Sequence, residues 1–438
     1  MLYKGTNLKP SCILGLNYKG LYIWAALYVS FIHIITRLGI SNSFIVFFIY
    51  FAMAIPFINN LDKFISLCYI ISPITYYYTG TDEGLISIYT IFIILAIINI
   101  SFKQRINKIN IVPFIIIGVV VYISFTLSEF KYLNGAFLLI YIIVVSICIS
   151  IINTFKKDTL ISFIPFLACI QVYIFAIEMI CGGVISEGRF SISQLVDYNT
   201  FGMAAAQMGI VLITQWILRG KSFSLIYKIA IVLSVIIILL SGSRNALLGL
   251  GGSYIIVYMY NGKLKGNTLN KTIKLLLIVY ALGCLAIFTI PALGIDLNRY
   301  NYIELVQSGG TNRMTIWTKL VPVIIENYFF FGYGPGHYCS SIVVSRLVNR
   351  DYIHTHNLFI EAWGELGIVG LIAFLWIIIY SFKRIYKKIK IDNSNLIIFA
   401  IFIQLLINCI GEAHFCDIIL WIIIGFANCG FIRRKLDE

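Results

Sequence analysis

Charged residues are scarce in this sequence. Only 12% of its 438 residues are Asp, Glu, Lys or Arg, while 60% are hydrophobic; soluble domains carry about 25% charged residues. The scarcity excludes a soluble nucleic-acid-binding protein, because so few charges cannot spread the formal net charge of +14 over a solvated surface. It also excludes disorder, since a chain this apolar cannot remain dissolved in water. A protein that crosses the membrane several times is the class that remains.

The sequence also shows no C-x-x-C pair, no evident cleavable signal and no internal repeat. The ten Cys residues contain no C-x-x-C pair and lie mostly inside apolar runs, so we expect packing residues without a disulfide framework or metal site. Residues 1–20 lack an apolar core closed by small residues, so no cleaved signal is expected. The first long apolar run, which begins near Leu21, is interpreted as a retained signal anchor.

Long apolar runs make up most of the chain. A bilayer core of about 30 Å needs about 20 apolar residues of helix, or fewer where neighbouring helices shield the ends. Fourteen runs meet this requirement, several of them only just. The sequence therefore predicts an all-α polytopic membrane helix bundle of about 12 to 14 transmembrane helices. The candidate spans are residues 21–38, 43–58, 61–78, 85–100, 111–127, 136–152, 160–180, 201–218, 226–240, 246–260, 275–293, 357–380, 396–410 and 417–430.

The segments between these spans alternate in charge. Following the spans from the N-terminus places 24 Lys and Arg residues on one side of the membrane and nine on the other. Basic loops are retained in the cytoplasm, so both termini are predicted to be cytoplasmic. In this orientation residues 294–356, the longest segment without a membrane-length apolar run, form a large extracytoplasmic loop.

The chain divides into three parts on this basis. Residues 1–224 hold N-terminal transmembrane helices, residues 225–380 hold the candidate motifs together with the outer loop 294–356, and residues 381–438 hold C-terminal transmembrane helices. A loop of 63 residues inside a compact protein is usually functional. Three of the five His residues lie within it: His337, His354 and His356.

The first candidate site is Ser241-Gly-Ser-Arg-Asn245, at the predicted outer junction of two spans. Ser and Asn are good helix N-caps, so Arg244 is predicted to lie at the start of a helix. Backbone N–H groups, the positive helix end and the guanidinium together suit an anion such as phosphate, with Ser243 as a further contact. The alternative is an interfacial arginine that contacts lipid headgroups.

A second arginine follows Gly309-Gly-Thr-Asn312. Apolar residues then recur at helical spacing, which predicts an amphipathic helix on the outer membrane surface with Arg313 at its N-terminal end. Arg313 would repeat the anion-binding chemistry of the first site. The alternative is a surface helix that only covers the bundle. The apolar positions are Met314, Trp317, Val321 and Ile324.

The third candidate is the turn Gly332-Tyr-Gly-Pro-Gly-His337, whose glycines allow a close approach of the backbone. His337 can contact a substrate there, whereas a single loop histidine is more often incidental. Aromatic side chains of the outer loop, among them Trp317 and Tyr333, can stack on sugars or belong to the interfacial aromatic belt.

The fourth candidate, His354-Thr-His-Asn357, enters the twelfth span. His356 is predicted at or just before the N-terminus of this helix, whose positive end disfavours the imidazolium form. We therefore expect a neutral His356 that is able to accept a proton. Asn357, Glu361 and Glu365 continue as one polar stripe on an apolar helix, which is a functional signal in a membrane span. The alternative is a carboxylate paired with an arginine of a neighbouring segment.

A metal site is a further interpretation of the histidines. His354 and His356 can chelate an ion on an extended segment, with His337 and a carboxylate completing the shell. No second tight ligand cluster supports this interpretation in the sequence. We therefore predict no bound metal.

The residues around His356 form a specific pattern. His356-Asn357, nine further residues and Gly367-Ile-Val-Gly370 read as HN-x9-GxxG, preceded by Gly-Tyr-Gly-Pro-Gly and Ser-Gly-Ser-Arg. Over roughly residues 225–372, this pattern resembles the O-antigen ligase and polysaccharide polymerase superfamily. Members of that superfamily are bacterial inner-membrane glycosyltransferases with the C-type fold, and their topology is similar to the one predicted here.

The resemblance implies transfer of a glycan from undecaprenyl pyrophosphate to an acceptor hydroxyl on the outer face of the bacterial cytoplasmic membrane. It implies no nucleotide sugar, metal ion or other cofactor. The essential His of the family matches His356, and its two essential Arg residues match Arg244 and Arg313, with Arg299 close to the latter. The residues we expect to contact the substrate are Ser243, Asn357, Glu361, His337, Tyr333 and Trp317.

Two activities of this superfamily stay open. A polymerase joins repeat units on lipid carriers, whereas a ligase moves the finished glycan to lipid A core or protein. The Ile-, Asn- and Lys-rich composition suits an AT-rich genome such as that of a Gram-positive host, which has no lipid A, so we favour the polymerase. Its expected partners are membrane lipid, a chain-length regulator and a flippase. That the chain is itself a flippase is disfavoured, because Glu178, Glu361 and Glu365 lie towards the outer ends of their spans and no basic residue is expected deep in the bilayer.

Overall fold

The computed structural model describes residues 18–37, 43–79, 83–103, 107–152, 155–182, 184–186, 189–191, 197–265, 313–349, 354–412 and 415–430. Several predicted features lie outside these residues. They are the candidate span 275–293, the part of the outer loop that contains Arg299 and Gly309–Asn312, and residues 350–353.

The described residues are all-α apart from one short hairpin, as predicted. Thirteen of the fourteen predicted spans coincide with a helix. Four helices are long and apolar enough to cross a membrane, and seven shorter apolar helices accompany them in the described ranges. The chain is therefore a multi-pass membrane protein, while the number of about 12 to 14 spans stays a prediction.

Fifteen helices are described: α1 (Tyr18–Arg37), α2 (Ser43–Ala54), α3 (Leu61–Thr79), α4 (Glu83–Lys103), α5 (Val112–Leu127), α6 (Leu133–Ile152), α7 (Ile164–Gly182), α8 (Tyr198–Arg219), α9 (Leu225–Ser241), α10 (Arg244–Lys265), α11 (Arg313–Asn327), α12 (His337–Val348), α13 (Leu358–Ile391), α14 (Leu396–Asn408) and α15 (Ile418–Asn428). The hairpin joins β1 (Val184–Ser186) to β2 (Arg189–Ser191), with Ile185 opposite Phe190.

Helices α14 and α15 form the centre of the bundle. Residues 396–405 of α14 and all of α15 are buried, which is what helices apolar on every side require. Helix α15 packs between α6 and α13, and α13 packs against α5. Helix α5, by contrast, exposes one apolar face through Ile115, Val119 and Tyr122. Peripheral helices of this kind present such a face to lipid.

Small residues bring α8, α9, α10 and α14 close together. A Cβ atom on Gly202 of α8 would come within 2.7 Å of the Ser243 side chain, at the start of α10. A Cβ atom on Gly249 of α10 would overlap the side chain of Asn408 in α14. Small residues allow this close approach of helix backbones in membrane proteins. The packing brings the turn between α9 and α10 to the end of α14.

Helix α13 is broken at the first glycine of the predicted GxxG motif. Gly367 has φ +68° and ψ −173°, and Ile368 N, after the break, donates to Phe329 O at 2.7 Å. A Cβ atom on Gly367 would collide with the backbone of Phe330. Gly332 likewise leaves no room for a side chain against Glu365. The glycines therefore let residues 328–336 pack, backbone against backbone, on the break in α13.

The predicted outer loop contains two helices, α11 and α12. Helix α11 is described from Arg313 onwards and contains Pro322. Its buried face consists of Ile316, Leu320 and Ile324, which pack towards α12 and α13. Met314, which belongs to the predicted apolar stripe, is half-exposed. The helix is thus docked on the protein through a face offset from the predicted one.

Candidate active site

His356 lies immediately before α13, in a short segment held to the end of α14. Leu358 N donates to Cys409 O at 3.0 Å, and Asn357 Nδ2 donates to Ile410 O at 3.2 Å. His356 has a φ of +50°, in the left-handed region that residues other than glycine seldom adopt. Such strain collects at functional sites, where surrounding contacts hold it in place. The predicted position of His356 at the helix entry is confirmed.

Asn357 is the N-cap of α13. Its Oδ1 accepts hydrogen bonds from Phe359 N at 3.0 Å and Ile360 N at 3.1 Å. Because its Nδ2 is bound to a backbone carbonyl, every polar atom of the side chain has a protein partner. Asn357 therefore fixes the start of the helix and, through it, the position of His356. The side chain is only partly buried, and its expected contact with the substrate stays a prediction.

Glu412 joins His356 to Arg313. Its Oε1 lies 2.9 Å from Arg313 Nη2, and its Oε2 lies 3.2 Å from His356 Nδ1. The carboxylate side chain is 11% exposed, while the arginine and histidine side chains are 23% and 29% exposed. The glutamate is thus sheltered, and its two partners reach the surface. Nothing in the sequence indicated a role for Glu412, which lies in the short segment between two predicted spans. Its partners His356 and Arg313 are 56 and 99 positions away along the chain, and only the fold brings them together.

Arg244 is the first residue of α10, as predicted. The preceding turn has Gly242 in the left-handed conformation, with φ +64°. Ser243 Oγ accepts from Ala246 N at 3.3 Å and so caps the helix. Ser243 is fully buried, so the expected substrate contact of its side chain is corrected to a capping role. Arg244 itself is partly buried at the positive end of the helix, which suits an anion.

The two arginine motifs meet over Gly411. A Cβ atom on this glycine would come within 2.9 Å of both Arg313 Nη1 and Asn245 Oδ1. Asn245 Nδ2 also donates to Asn408 O at 2.8 Å, which ties the start of α10 to the end of α14. Gly411 directly precedes Glu412. The start of α10, Arg313 and the glutamate therefore belong to one site.

Arg189 of the hairpin supports the turn between α9 and α10. Its Nε donates to Ser241 O at 3.0 Å, its Nη2 donates to Asn199 Oδ1 at 2.6 Å, and its guanidinium lies over the Tyr198 ring. The side chain is buried, so its charge is compensated by these contacts. The sequence singled out no role for Arg189, since the three partners come from other segments.

His337 and Glu361 form a second ionic pair. Their Nδ1 and Oε1 atoms are 2.6 Å apart, and Glu361 Oε2 accepts from Phe415 N at 3.0 Å. Burial lowers the pKa of His337, but the Glu361 carboxylate outweighs burial and raises this pKa to about 9. Glu361 is fully buried, so the expected substrate contact and the alternative of an arginine partner are both replaced by this pairing.

Glu365 holds the glycine-rich turn to α13. Its Oε2 accepts from Gly336 N and its Oε1 from Ser340 Oγ, both at 2.9 Å. Tyr333 is fully buried in the same place, with its hydroxyl 2.9 Å from Ser340 Oγ and its backbone N donating to Gly364 O at 2.8 Å. The expectation that Tyr333 stacks on sugar is corrected accordingly, because a substrate cannot reach a ring inside the core.

Three imidazoles connect the two ionic pairs. The ring centroids of His337 and His354 are 5.6 Å apart, and those of His354 and His356 are 6.4 Å apart. Trp317 of α11 borders this row, with its Nε1 donating to Thr355 O at 2.8 Å. Trp317 is partly buried and therefore keeps a surface that a substrate can touch. The structure thus gathers all three outer-loop histidines at one place.

His337, Glu361 and Glu365 bring three potential metal ligands within 4.8 Å of one another. The distance of 2.6 Å between His337 Nδ1 and Glu361 Oε1 is that of a hydrogen bond. Two of the three side chains are therefore hydrogen-bonded to each other in this structure. The predicted group of His337, His354 and His356 forms an open row of rings instead.

The arrangement combines two chemical abilities. The start of α10 and the guanidinium of Arg313 can bind an anionic group such as a phosphate. His356, a few ångströms away across Glu412, can accept a proton from a hydroxyl. An anion-stabilising site beside a base is what a transfer from a phosphate leaving group to a hydroxyl requires.

Comparison with known proteins gives a family match for part of the chain. Residues 229–375 match the family described as O-antigen ligase, which confirms the resemblance to the O-antigen ligase and polysaccharide polymerase superfamily over that stretch. An uncharacterized protein of Haemophilus influenzae is 23% identical over 256 residues, which cover 54% of this chain and 62% of that relative. The chain thus spans less than two thirds of the length of the relative. Glu412 and Arg189 both lie outside the family match.

Proposed function

We propose, from the match to the O-antigen ligase family, that this chain is a glycosyltransferase that polymerises undecaprenyl-pyrophosphate-linked oligosaccharide repeat units into surface polysaccharide. The observation that carries the proposal is the group of Arg313, Glu412 and His356 beside the start of α10. The polysaccharide is a capsule, an exopolysaccharide or an O-antigen. A chain-length regulator and a flippase for the repeat units are the partners that such a polymerase needs.

In the proposed reaction the hydroxyl of one repeat unit attacks the anomeric carbon of a glycan on its lipid carrier. The bond between that carbon and the pyrophosphate oxygen breaks, and a glycosidic bond forms. His356 takes the hydroxyl proton, a role that contributes ~10²–10⁴-fold in rate. Arg313 and Arg244 stabilise the negative charge that grows on the departing pyrophosphate. These steps need neither a metal ion nor a nucleotide sugar.

The charge distribution supports an orientation for this reaction. With 24 basic residues on one side and nine on the other, the proposed arrangement has both termini in the cytoplasm. In this orientation Arg244, Arg313 and His356 lie at the outer face of the bacterial cytoplasmic membrane. Lipid-linked repeat units reach the site from the outer leaflet.

A ligase is the second candidate, and the description of the matched family favours it. It would use the same donor and the same residues, but its acceptor would be lipid A core or a protein hydroxyl. A flippase is less well supported by the described residues. Each intramembrane carboxylate there is hydrogen-bonded within the protein, Glu178 to His33 at 2.8 Å, Glu361 to His337 and Glu365 to Gly336.

Deletion of the gene, followed by gel analysis of surface glycan, separates these functions. Single repeat units indicate loss of a polymerase, and long chains that stay on the carrier indicate loss of a ligase. Repeat units held on the inner leaflet indicate loss of a flippase. Complementation with wild type should restore polymer, and complementation with His356→Ala should not. We expect this variant to insert into the membrane as wild type does. Unchanged glycan in the deletion strain would refute all three functions.

A further inference from the structure

We infer that Glu412 is the positioning residue of this site: it sets the proton position on His356 and the direction of the Arg313 guanidinium together. The inference rests on the proposed function, since it assigns the partner through which the base works. Glu412 uses one carboxylate oxygen for each neighbour, Oε2 for His356 Nδ1 at 3.2 Å and Oε1 for Arg313 Nη2 at 2.9 Å.

The contact to Nδ1 selects one tautomer of His356. A carboxylate can only accept hydrogen bonds, so the nitrogen that faces it carries the proton. The neutral ring then has its lone pair on Nε2, which is the atom that can take a proton from a hydroxyl. The carboxylate also stabilises the imidazolium that forms when this happens. Glu412 therefore acts on the acceptor hydroxyl only through His356.

The surroundings hold Glu412 between its two partners. The segment that carries it is tied to the start of α13 by hydrogen bonds to Cys409 O and Ile410 O. On its other side Gly411 packs so closely against Arg313 and Asn245 that a side chain would displace them. The separation between the base and the phosphate-binding guanidinium is thus set by one carboxylate on a fixed backbone.

The two contacts of Glu412, with Arg313 and with His356, predict how an amide would behave at this position. Arg313 has donors only, so the amide of a Glu412→Gln variant must turn its oxygen towards Arg313. Its NH₂ group then faces His356 Nδ1 and donates to it. The histidine proton is forced onto Nε2, where it blocks the base. The variant keeps size and shape, and loses the correct tautomer.

The tautomer is measured directly on the full-length protein in nanodiscs, carrying isotope-labelled histidine. Ring-nitrogen NMR in mildly alkaline buffer shows which nitrogen is protonated, and His356→Asn identifies the signal. We expect protonated Nδ1 in wild type and protonated Nε2 in Glu412→Gln. A wild-type signal with protonated Nε2, or the same tautomer in both proteins, would overturn the inference.

Polymer formation in the complemented deletion strain is the second readout. We expect Glu412→Gln to lose ~10²–10⁴-fold in polymer formation. Glu412→Asp, which restores the acceptor, should recover part of it. Glu326→Gln, on the exposed face of α11, is the matched control and should behave as wild type. Equal polymer from Glu412→Gln and wild type would contradict the inference. A deletion strain with normal polymer would instead refute the proposed function. The NMR experiment would still decide whether Glu412 sets the tautomer of His356, because it does not depend on polymer formation.

Discussion

His337 Nδ1 lies 2.6 Å from Glu361 Oε1, and this contact joins the start of α12 to the first half of α13. The glutamate is fully buried, whereas the histidine side chain is 32% exposed. A buried carboxylate without a partner is strongly destabilising, so the pair accounts for a charged residue inside an apolar helix. It also makes the fold of the site sensitive to pH.

The stability of the protein should fall as the pH rises through about 9. The imidazole has a pKa of 6.5 in an unfolded chain and about 9 in the folded protein, so the folded state holds this proton more tightly. The stabilisation is complete below pH 6.5 and is lost through the window up to about 9. We expect the midpoint of thermal unfolding in detergent, followed by tryptophan fluorescence, to decrease across it.

His337→Asn is the variant that isolates this effect. At neutral pH it should be less stable than wild type by about 1–3 kcal/mol, because Glu361 loses a charged hydrogen-bond partner. Across the window its stability should change much less than that of wild type. Parallel curves for the two proteins would show that another group is responsible.

Gly367→Ala should destabilise the protein through the break in α13. A Cβ atom there would collide with backbone atoms of Phe330 and Phe331, and the residue has φ +68°. Backbone atoms cannot turn aside as a side chain can, so we expect a loss of several kcal/mol and a low yield of folded protein.

Gly118→Ala is the matched control for this substitution. Gly118 lies within α5, and a Cβ atom there meets nothing within 4 Å. Alanine has the higher helix propensity by about 1 kcal/mol, so this variant should be as stable as wild type or slightly more stable. Similar losses in both variants, measured by yield and thermal unfolding, would contradict the role assigned to the break.

The helices and the start of α10 are predictable from the sequence because they depend on neighbouring residues. Apolar runs mark the helices, and the Ser and Asn residues around Arg244 mark a helix start. The HN-x9-GxxG pattern likewise gives His356 and Gly367. The pattern does not explain why position 367 is a glycine. The structure does, because the backbone of residues 329–331 packs against this position and leaves no room for a side chain.

The partners of these residues are not predictable in the same way. Glu412 is a single acidic residue between two predicted spans. Its role depends on its contacts with Arg313 and His356, which are distant in the sequence. Tyr333 and Ser243 show the opposite error, since their residue types suit a sugar or phosphate but both are fully buried. Burial and pairing depend on tertiary packing, which periodicity and spacing leave open.

Arg244→Lys should impair polymer formation by roughly 10²-fold if the arginine binds the leaving pyrophosphate. A lysine keeps the charge but cannot offer the planar pair of donors that matches a phosphate. The measurement is polymer yield in the complemented deletion strain, normalised to the amount of protein in the membrane. Full activity with lysine would indicate that Arg244 contacts lipid headgroups, as the alternative interpretation holds.

Cysteine labelling tests the orientation on which the proposed chemistry depends. Thr318 on α11 and Ser222 between α8 and α9 are both exposed, so a cysteine at either position can react with a membrane-impermeant maleimide. The background should carry Cys181→Ser, since Cys181 is itself exposed. We expect Thr318→Cys to be labelled on intact cells and Ser222→Cys only after permeabilisation, because the loop that contains Ser222 belongs to the strongly basic side. The reverse pattern would place His356 in the cytoplasm, where a polymerase that uses outer-leaflet substrates cannot work.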